Sequence, residues 1–289
     1  MYHLYKWTPP SLGRNTITRH YEPMQPHLLM ALARHFKCET FLDVGANIGA
    51  YSLLMSGVAP ITSIHAFEAS PETFEHLKQN ALLNGADIHI YNLAASDARG
   101  VLKFGIVNML SGANSVIDSS IHSRFERQVE VEAAPLDEVV DVHGQRVCIK
   151  IDVEGHEPQV LAGMVNILKR NEVVLQIEDF NSEPKEMERR LERHDFEQMF
   201  RVGSDRYFTN IKPVPSDVEL VNIFQAAAEE LVQTNLGALY QSYVDGEAPL
   251  DIPLGLSMTL QLRGKSASLA RSMRRLLRPA INRIRRPNA

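Results

Sequence analysis

The stretch FLDVGANIGAYS, residues 41–52, sets Asp43, Gly45, Asn47 and Gly49 directly behind a short apolar run. A glycine-rich turn from strand to helix presents backbone N–H groups and the positive end of a helix dipole, which suits a phosphate or a carboxylate. Asp43 would repel a phosphate, and the spacing lacks the middle glycine of the dinucleotide pattern G-x-G-x-x-G. A pyrophosphate-bearing dinucleotide is therefore not the expected ligand. Further along, Glu68 closes the run ITSIHAFEAS, where a carboxylate can accept hydrogen bonds from both hydroxyls of a ribose; its alternative use is as a cap for the helix that follows. Asp43 and Glu68 together fit a ligand with positive charge near the loop and a ribose beyond it, which describes S-adenosylmethionine.

More acids stand at the ends of other apolar runs. Ser96 and Asp97 end DIHIYNLAASD, Asp152 ends VCIKID, and Glu178 ends NEVVLQIE. In an open parallel sheet, ligands bind outside the carboxyl ends of the strands, near the point where strand order reverses. The segment IDVEGHE adds Glu154 and His156 beside Asp152. An alcohol acceptor must lose a proton, so a base within hydrogen-bond reach helps, and His156 is the preferred candidate over its plainer role as an exposed first-turn residue. Asp152, Glu154, Glu178 and Asp179 form a weaker alternative, a set of hard oxygen ligands for Mg²⁺, although nothing in their spacing demands a metal.

The elements that must position these groups follow from periodicity. EPMQPHLLMALARHF carries Leu28, Leu29, Leu32 and Phe36 at helical spacing, TFLDV is a short buried strand, and a helix should begin near Gly49. SPETFEHLKQNALLNG has Ser70 as N-cap, Pro71 at the first helical position and Gly85 just past the end, with Phe74, Leu77 and Ala81 facing the sheet. DIHIYNLAASD reads as the third strand, VCIKID as the fourth, EPQVLAGMVNILKR as one helix with Val160, Met164 and Ile167 on a face, and NEVVLQIEDF as the next strand. Repeated βα alternation predicts an α/β domain. Between the third and fourth strands, GVLKFGIV and RQVEVEAAPL read as two strand-like pieces joined by a polar segment, an insertion of the kind that lies over a site or forms a surface loop. FEQMFRVGSDRYFTN reads as an antiparallel hairpin at the end of a mainly parallel sheet, and 225–263 only as some helix.

Composition sets the outer bounds. The 289 residues are 44% hydrophobic and 22% charged, as in an ordinary globular protein, and no apolar run is long enough to span a bilayer. The N-terminal residues lack a basic start followed by an apolar core, so a cytoplasmic location is expected. Two cysteines cannot make a disulfide framework; Cys148 reads as a buried reduced thiol and Cys38 has no evident partner. The net charge of −5 hides a basic end, since 264–289 holds Lys265 and seven arginines with no acid. Within it, Leu269, Met273, Leu276, Leu277, Ile281 and Ile284 fall on one helical face, which suits an anionic membrane surface at the inner leaflet or docking on the acidic body.

The combination of DVGANIG with IDVEGHE, supported by YEPMQPHLLMALARHF, HAFEASPETFEHLKQN and NLAASDARGVLKF, resembles the FkbM family of S-adenosylmethionine-dependent methyltransferases over about residues 20–180. The resemblance implies a Rossmann-like class I methyltransferase fold, with a seven-stranded, mainly parallel sheet, helices on both faces and an antiparallel C-terminal hairpin. It implies that Asp43, Gly45, Asn47 and Gly49 line the methionine end of the cofactor, Glu68 the ribose, Ser96 and Asp97 the adenine, and Glu178 the acceptor pocket. The implied activity is O-methylation of a hydroxyl on a glycan, sugar or other small molecule. A nicotinamide-dependent oxidoreductase and a degenerate fold that only binds a partner or membrane are the rivals, and the intact Asp43, Gly45, Gly49 and Glu68 argue against the second. Nucleic acid is not expected as a partner, because the main body is acidic. The expected layout is an N-terminal extension over 1–20, a methyltransferase domain over 21–230, a C-terminal extension over 231–263 and the basic tail over 264–289.

Overall fold

The structure is a computed structural model that describes residues 24–106, 115–116, 127–178, 184–244 and 260–262. The N-terminal extension, the basic tail and Asp179 lie outside the described residues. Among the described residues, no helix is long and apolar enough to cross a membrane.

Helix α1 (Gln25–Phe36) leads into β1 (Thr40–Val44), and Gly49 at φ +90° hands the chain to α2 (Ala50–Met55). The next unit is β2 (Ser63–Phe67), α3 (Pro71–Asn84) and β3 (His89–Tyr91). The predicted ends of α3 are all present: the Ser70 hydroxyl accepts from the Thr73 N–H, Pro71 opens the helix and Gly85 closes it at φ +60°. Leu77 and Ala81 are buried, whereas Phe74 is only half-buried.

The third strand departs from its sequence reading. It divides into β3, in the main sheet, and β4 (Ala94–Ala95), in a second sheet. Asn92 sits at the break and its side-chain amide donates to the carbonyls of Glu68 and Ala69, so the polar side chain fixes the kink. The inserted segments are β5 (Gly100–Ile106) and β7 (Arg127–Ala134), both strands as expected, and they pair antiparallel. With β4 and the short β6 (Ser115–Val116) they form a four-stranded sheet in the order β4-β7-β5-β6.

After the short helix α4 (Leu136–Val139), strand β8 (Arg146–Ile151) returns to the main sheet beside β1. EPQVLAGMVNILKR forms two helices, α5 (Glu157–Ala162) and α6 (Val165–Arg170), rather than one. A Cβ on Gly163 would lie 1.8 Å from the Ser96 carbonyl oxygen, so the chain presses its backbone against Ser96 at the break. The Asp137 carboxylate then accepts from the N–H groups of Asn166 and Ile167 and caps α6. No local signal in the segment shows either partner.

Strand β9 (Glu172–Glu178), helix α7 (Pro184–Glu192), the hairpin of β10 (Glu197–Val202) and β11 (Asp205–Thr209), helix α8 (Asp217–Val244) and β12 (Leu260–Leu262) complete the described elements. The main sheet has eight strands in the order β12-β10-β11-β9-β8-β1-β2-β3, one more than expected. The extra strand is β12, which pairs antiparallel with β10 and comes from the segment that sequence reading left as helix. Around the parallel strands β3-β2-β1-β8-β9, strand β11 is antiparallel to both β9 and β10, so this is a Rossmann-like, mainly parallel sheet with the expected antiparallel hairpin and an added edge strand. Order reverses between β1 and β8, which makes their carboxyl ends the switch point. Helix α8 runs without interruption across position 230.

Each face of the sheet is covered by helices. Leu28, Leu29, Leu32 and Phe36 of α1 pack with Cys148, Tyr207 and Phe224 on one side, while Ile149, Ile151, Val160 and Met164 pack on the other. Removing one such aliphatic side chain from water contributes about 1.5–3 kcal/mol. Cys38 and Cys148 are both buried free thiols, and burial pushes the Cys148 thiol pKa up.

Candidate functional site

A cavity opens at the switch point, over the ends of β1, β2 and β8, and the inserted sheet closes one side of it with Phe104 and Val116. Gly45, Asn47, Glu68, Asp152, Glu154 and His156 all line it. Asp43, Gly49, Ser96, Asp97 and Glu178 are not among the lining residues, and each has a different placement.

The loop after β1 answers the question its glycines raise. The N–H groups of Gly45 and Ala46 both donate to the Phe67 carbonyl, at 3.0 and 2.9 Å, that of Asn47 to a Glu68 carboxylate oxygen at 2.8 Å, and that of Gly49 to the Ala46 carbonyl at 2.9 Å. These donors are committed inside the protein and do not form an anion cradle. Gly45 has a separate reason to be glycine: at φ +81° a Cβ would stand 1.9 Å from the Asp152 carbonyl oxygen. Gly49, also left-handed, packs against Leu77, which a Cβ would approach to 2.5 Å.

Glu68 is held from two sides. One carboxylate oxygen accepts from the Asn47 N–H and the other from the Ser70 N–H, each at 2.8 Å. Each ionised carboxylate oxygen has more than one acceptor site, so a hydroxyl on the cavity side can share the group with these backbone donors. The walls next to it, Phe67, Leu93, Ala94, Ala95 and Phe104, are apolar and suit a flat heterocycle. A rigid bidentate acceptor beside an apolar slot fits a ribose carrying an adenine.

Asp43 lies beneath the loop, fully buried. Its carboxylate accepts from the Ser52 hydroxyl at 2.6 Å and the Ser52 N–H at 3.1 Å, and the Lys150 Nζ stands 4.0 Å away. Burial raises its pKa, against the opposing pull of Lys150. Lys150 is the site residue that sequence reading missed. It is 5% exposed near the carboxyl end of β8, its ammonium donates to the Gly45 carbonyl at 3.1 Å and meets an Asp152 carboxylate oxygen at 3.1 Å, and it lies over the Tyr51 ring. A lysine inside the apolar run VCIKI is the signal that was available, since a buried ammonium requires such partners.

The candidates separate into two groups. On one side, His156 Nε2 lies 3.0 Å from the Ser96 hydroxyl, which itself donates to Asp97 at 3.2 Å. Because a hydroxyl has one proton and Asp97 takes it, Nε2 carries the imidazole proton and Nδ1 the lone pair. His156 is half-buried at the start of α5, and burial lowers its pKa, so it is neutral near pH 7. Ser96 is buried and Asp97 exposed. On the other side, Asp152 gathers with Lys150 and with Glu178, which accepts from the Ser204 hydroxyl at 2.7 Å and whose neutral form the Asp152 charge favours. Gln176 extends this network, donating to Tyr51 at 3.1 Å and to Asp205 at 2.8 Å.

Glu154 lines the cavity in the left-handed region at φ +56°, followed by Gly155 at +108°. The buried Glu157 carboxylate holds this turn by accepting from the Gly155 N–H at 3.0 Å, and burial raises its pKa. A glutamate in left-handed backbone costs on the order of 1 kcal/mol and persists only where its surroundings fix it. Among the described residues, no group of three or more histidine, cysteine, aspartate or glutamate side chains is arranged to hold a metal ion.

Comparison with known proteins identifies the family. The family model for the methyltransferase FkbM domain matches residues 43–198. The hexuronic acid methyltransferase AglP of Haloferax volcanii is 30% identical over 139 residues, which cover 47% of this chain and 54% of that protein. The methyltransferase sdnD of Sordaria araneosa is 28% identical over 43% of this chain and 59% of its own length, and the 31-O-demethyl-FK506 methyltransferase FkbM of Streptomyces tacrolimicus is 25% identical over 55% and 72%. The chain thus spans little more than half the length of the first two relatives. The matched residues run from Asp43 in β1 to Gln198 in β10, a span that takes in both groups of site residues, and the chain belongs to the methyltransferase FkbM domain family.

Proposed function

We propose that the protein transfers a methyl group from S-adenosylmethionine to a hydroxyl of a sugar, a glycan or another small molecule. The observation that carries this reading is Glu68, a carboxylate held by two backbone N–H groups at the edge of an apolar slot, beside a loop in which the N–H groups of Gly45, Ala46, Asn47 and Gly49 are already in use. A dinucleotide pyrophosphate would need those donors, whereas a ribose needs the carboxylate. The named relatives are a hexuronic acid methyltransferase and a 31-O-demethyl-FK506 methyltransferase, which support an oxygen acceptor on a sugar or small molecule.

When bound, S-adenosylmethionine supplies an electrophilic methyl on a sulfonium. Glu68 would hold the ribose, Gly45 and Asn47 would border the methionine end, and Asp43 would act from below by fixing Ser52 and Lys150. Ser96 and His156 would stand on the adenine side. Most of the rate then comes from holding the acceptor oxygen close and aligned while water is excluded. Two groups on the cavity wall can take the hydroxyl proton, His156 and Asp152. Magnesium is the less favoured route, because an ion at Asp152 would have to displace the ammonium 3.1 Å from its oxygen. Contact of residues 264–289 with an anionic membrane surface belongs to this reading on sequence grounds alone.

The test is calorimetry with S-adenosylhomocysteine and with NAD, followed by transfer of labelled methyl from S-adenosylmethionine into fractions of a source-cell lysate. Binding of S-adenosylhomocysteine and a labelled hydroxylated product are expected. Tight NAD binding with no labelled product would overturn the assignment.

A further inference from the structure

Strands β8 and β9 run parallel with Ile151 opposite Ile177, so Asp152 and Glu178 leave their strand ends one step later, side by side on the same face. That register brings the two carboxyls within reach of each other. Ionised carboxylates only accept hydrogen bonds, so a hydrogen bond between them needs one proton on the pair. The surroundings decide where it rests. Lys150 meets Asp152 at 3.1 Å, and the Asp152 side chain is 24% exposed on the cavity wall, both of which favour negative charge there. Glu178 is 4% exposed, faces Asp205 across the β9–β11 register and receives the Ser204 hydroxyl at 2.7 Å. Asp43, Gln176 and Tyr51 complete the polar groups around Lys150 and the pair.

We propose that Asp152 and Glu178 form one acid pair sharing a single proton, and that this pair, rather than His156, receives the acceptor hydroxyl's proton during methyl transfer. The proposal rests on the methyl-transfer reading for its chemistry and on the side-by-side carboxyls for its geometry. As the acceptor oxygen forms its bond to the methyl carbon, the sulfur–carbon bond breaks and its electron pair stays on sulfur. Positive charge therefore leaves the sulfonium and appears on the acceptor oxygen. A carboxylate fixed in advance by Lys150 stabilises that charge without reorganising, and the hydroxyl proton passes to Asp152 while Glu178 keeps its own. The proton then leaves through the exposed edge of Asp152. Burial, and after it the Asp152 charge, push the Glu178 pKa up to about 10, in line with a glutamate that stays neutral at working pH. His156 is engaged by Ser96 on the opposite side, which makes it a cofactor-side residue.

The experiment uses the full chain. The infrared C=O stretch of a protonated carboxyl should be present near neutral pH and vanish in Glu178→Gln, a readout that needs neither cofactor nor acceptor. With labelled S-adenosylmethionine and the acceptor identified above, Asp152→Asn should lower kcat by about 10²- to 10⁴-fold while S-adenosylhomocysteine affinity changes by less than about threefold. Glu178→Gln, which keeps a neutral hydrogen-bonding group, should lower kcat by about tenfold and remove the fall in rate as pH approaches 10. His156→Ala should weaken S-adenosylhomocysteine binding more than it lowers kcat. No infrared band, or a kcat loss in His156→Ala matching that in Asp152→Asn with affinity intact, would overturn the proposal. If S-adenosylhomocysteine does not bind, the methyl-transfer reading and the pair's role fall together, and the infrared band still decides whether the shared proton exists.

Discussion

Lys150 on β8 stands directly opposite Asp43 on β1 in the parallel register, with its ammonium 4.0 Å from the buried carboxylate and 3.1 Å from that of Asp152. One cation thus serves two strand-end acids and the carbonyl of the loop between them. Removing one member of a buried charged set leaves the others uncompensated, which costs about 3–5 kcal/mol. Lys150→Met should lower stability by that amount in urea titrations. Adding Asp43→Asn should recover part of the loss, because it removes the most deeply buried orphaned charge; no recovery would mean that the pairing with Asp43 contributes little.

Glu68→Ala should weaken S-adenosylhomocysteine binding by about 1.5–3 kcal/mol, the range for hydrogen bonds to a charged group. Glu68 also holds Asn47 and Ser70, so part of the loss would reflect a loosened loop. Glu68→Gln separates the contributions, since its amide oxygen keeps one acceptor. Calorimetry that finds wild-type affinity in both variants would remove Glu68 from the ribose.

Gly163→Ala should destabilise the protein by about 1–3 kcal/mol or more, as overpacking does, because the new Cβ would meet the Ser96 carbonyl oxygen at 1.8 Å. Gly100→Ala is the internal control, with nothing within 4 Å of the added carbon. Thermal melts of the two variants should differ clearly, and equal melting temperatures would contradict the close approach.

Stability should depend on pH through Glu178. Its carboxyl is raised to about 10 in the folded protein, chiefly by burial, against about 4.3 for an ordinary glutamate. Between those values the folded state holds a proton that the unfolded chain has released. The contribution is therefore complete below the lower value and is lost as pH rises toward the upper one. Urea midpoints of the wild type should fall between pH 5 and pH 9, in the window those two pKa values define. Glu178→Gln should flatten that fall, and parallel curves for the two proteins would show that Glu178 does not carry it.

Residues 264–289 invite a separate measurement. Each arginine near an anionic lipid surface contributes about 1 kcal/mol, which salt screens. The full chain should co-sediment with anionic vesicles at low salt, and a chain ending at Arg263 should not. Equal sedimentation of the two would rule out the tail as a membrane contact.

The sequence by itself determined whatever rests on neighbours along the chain. Ser70, Pro71 and Gly85 mark the ends of α3 because caps act within one turn, and Asp43, Glu68, Asp152 and Glu178 are legible as strand-end acids because apolar runs stop at them. Tertiary structure alone decided which of these groups meet. Asp152 joins Glu178 and Lys150 because β8 and β9 pair in one register, while His156, four residues further on, turns to Ser96 instead. The split of EPQVLAGMVNILKR at Gly163 depends on a carbonyl from the β4 turn, and the edge strand β12 exists only because β10 offers it a partner. Lys150 shows the difference within a single residue. Its place in an apolar strand is plain in the sequence, but its role follows from strand order, which is set by non-local packing on both faces of the sheet and leaves no trace in local spacing.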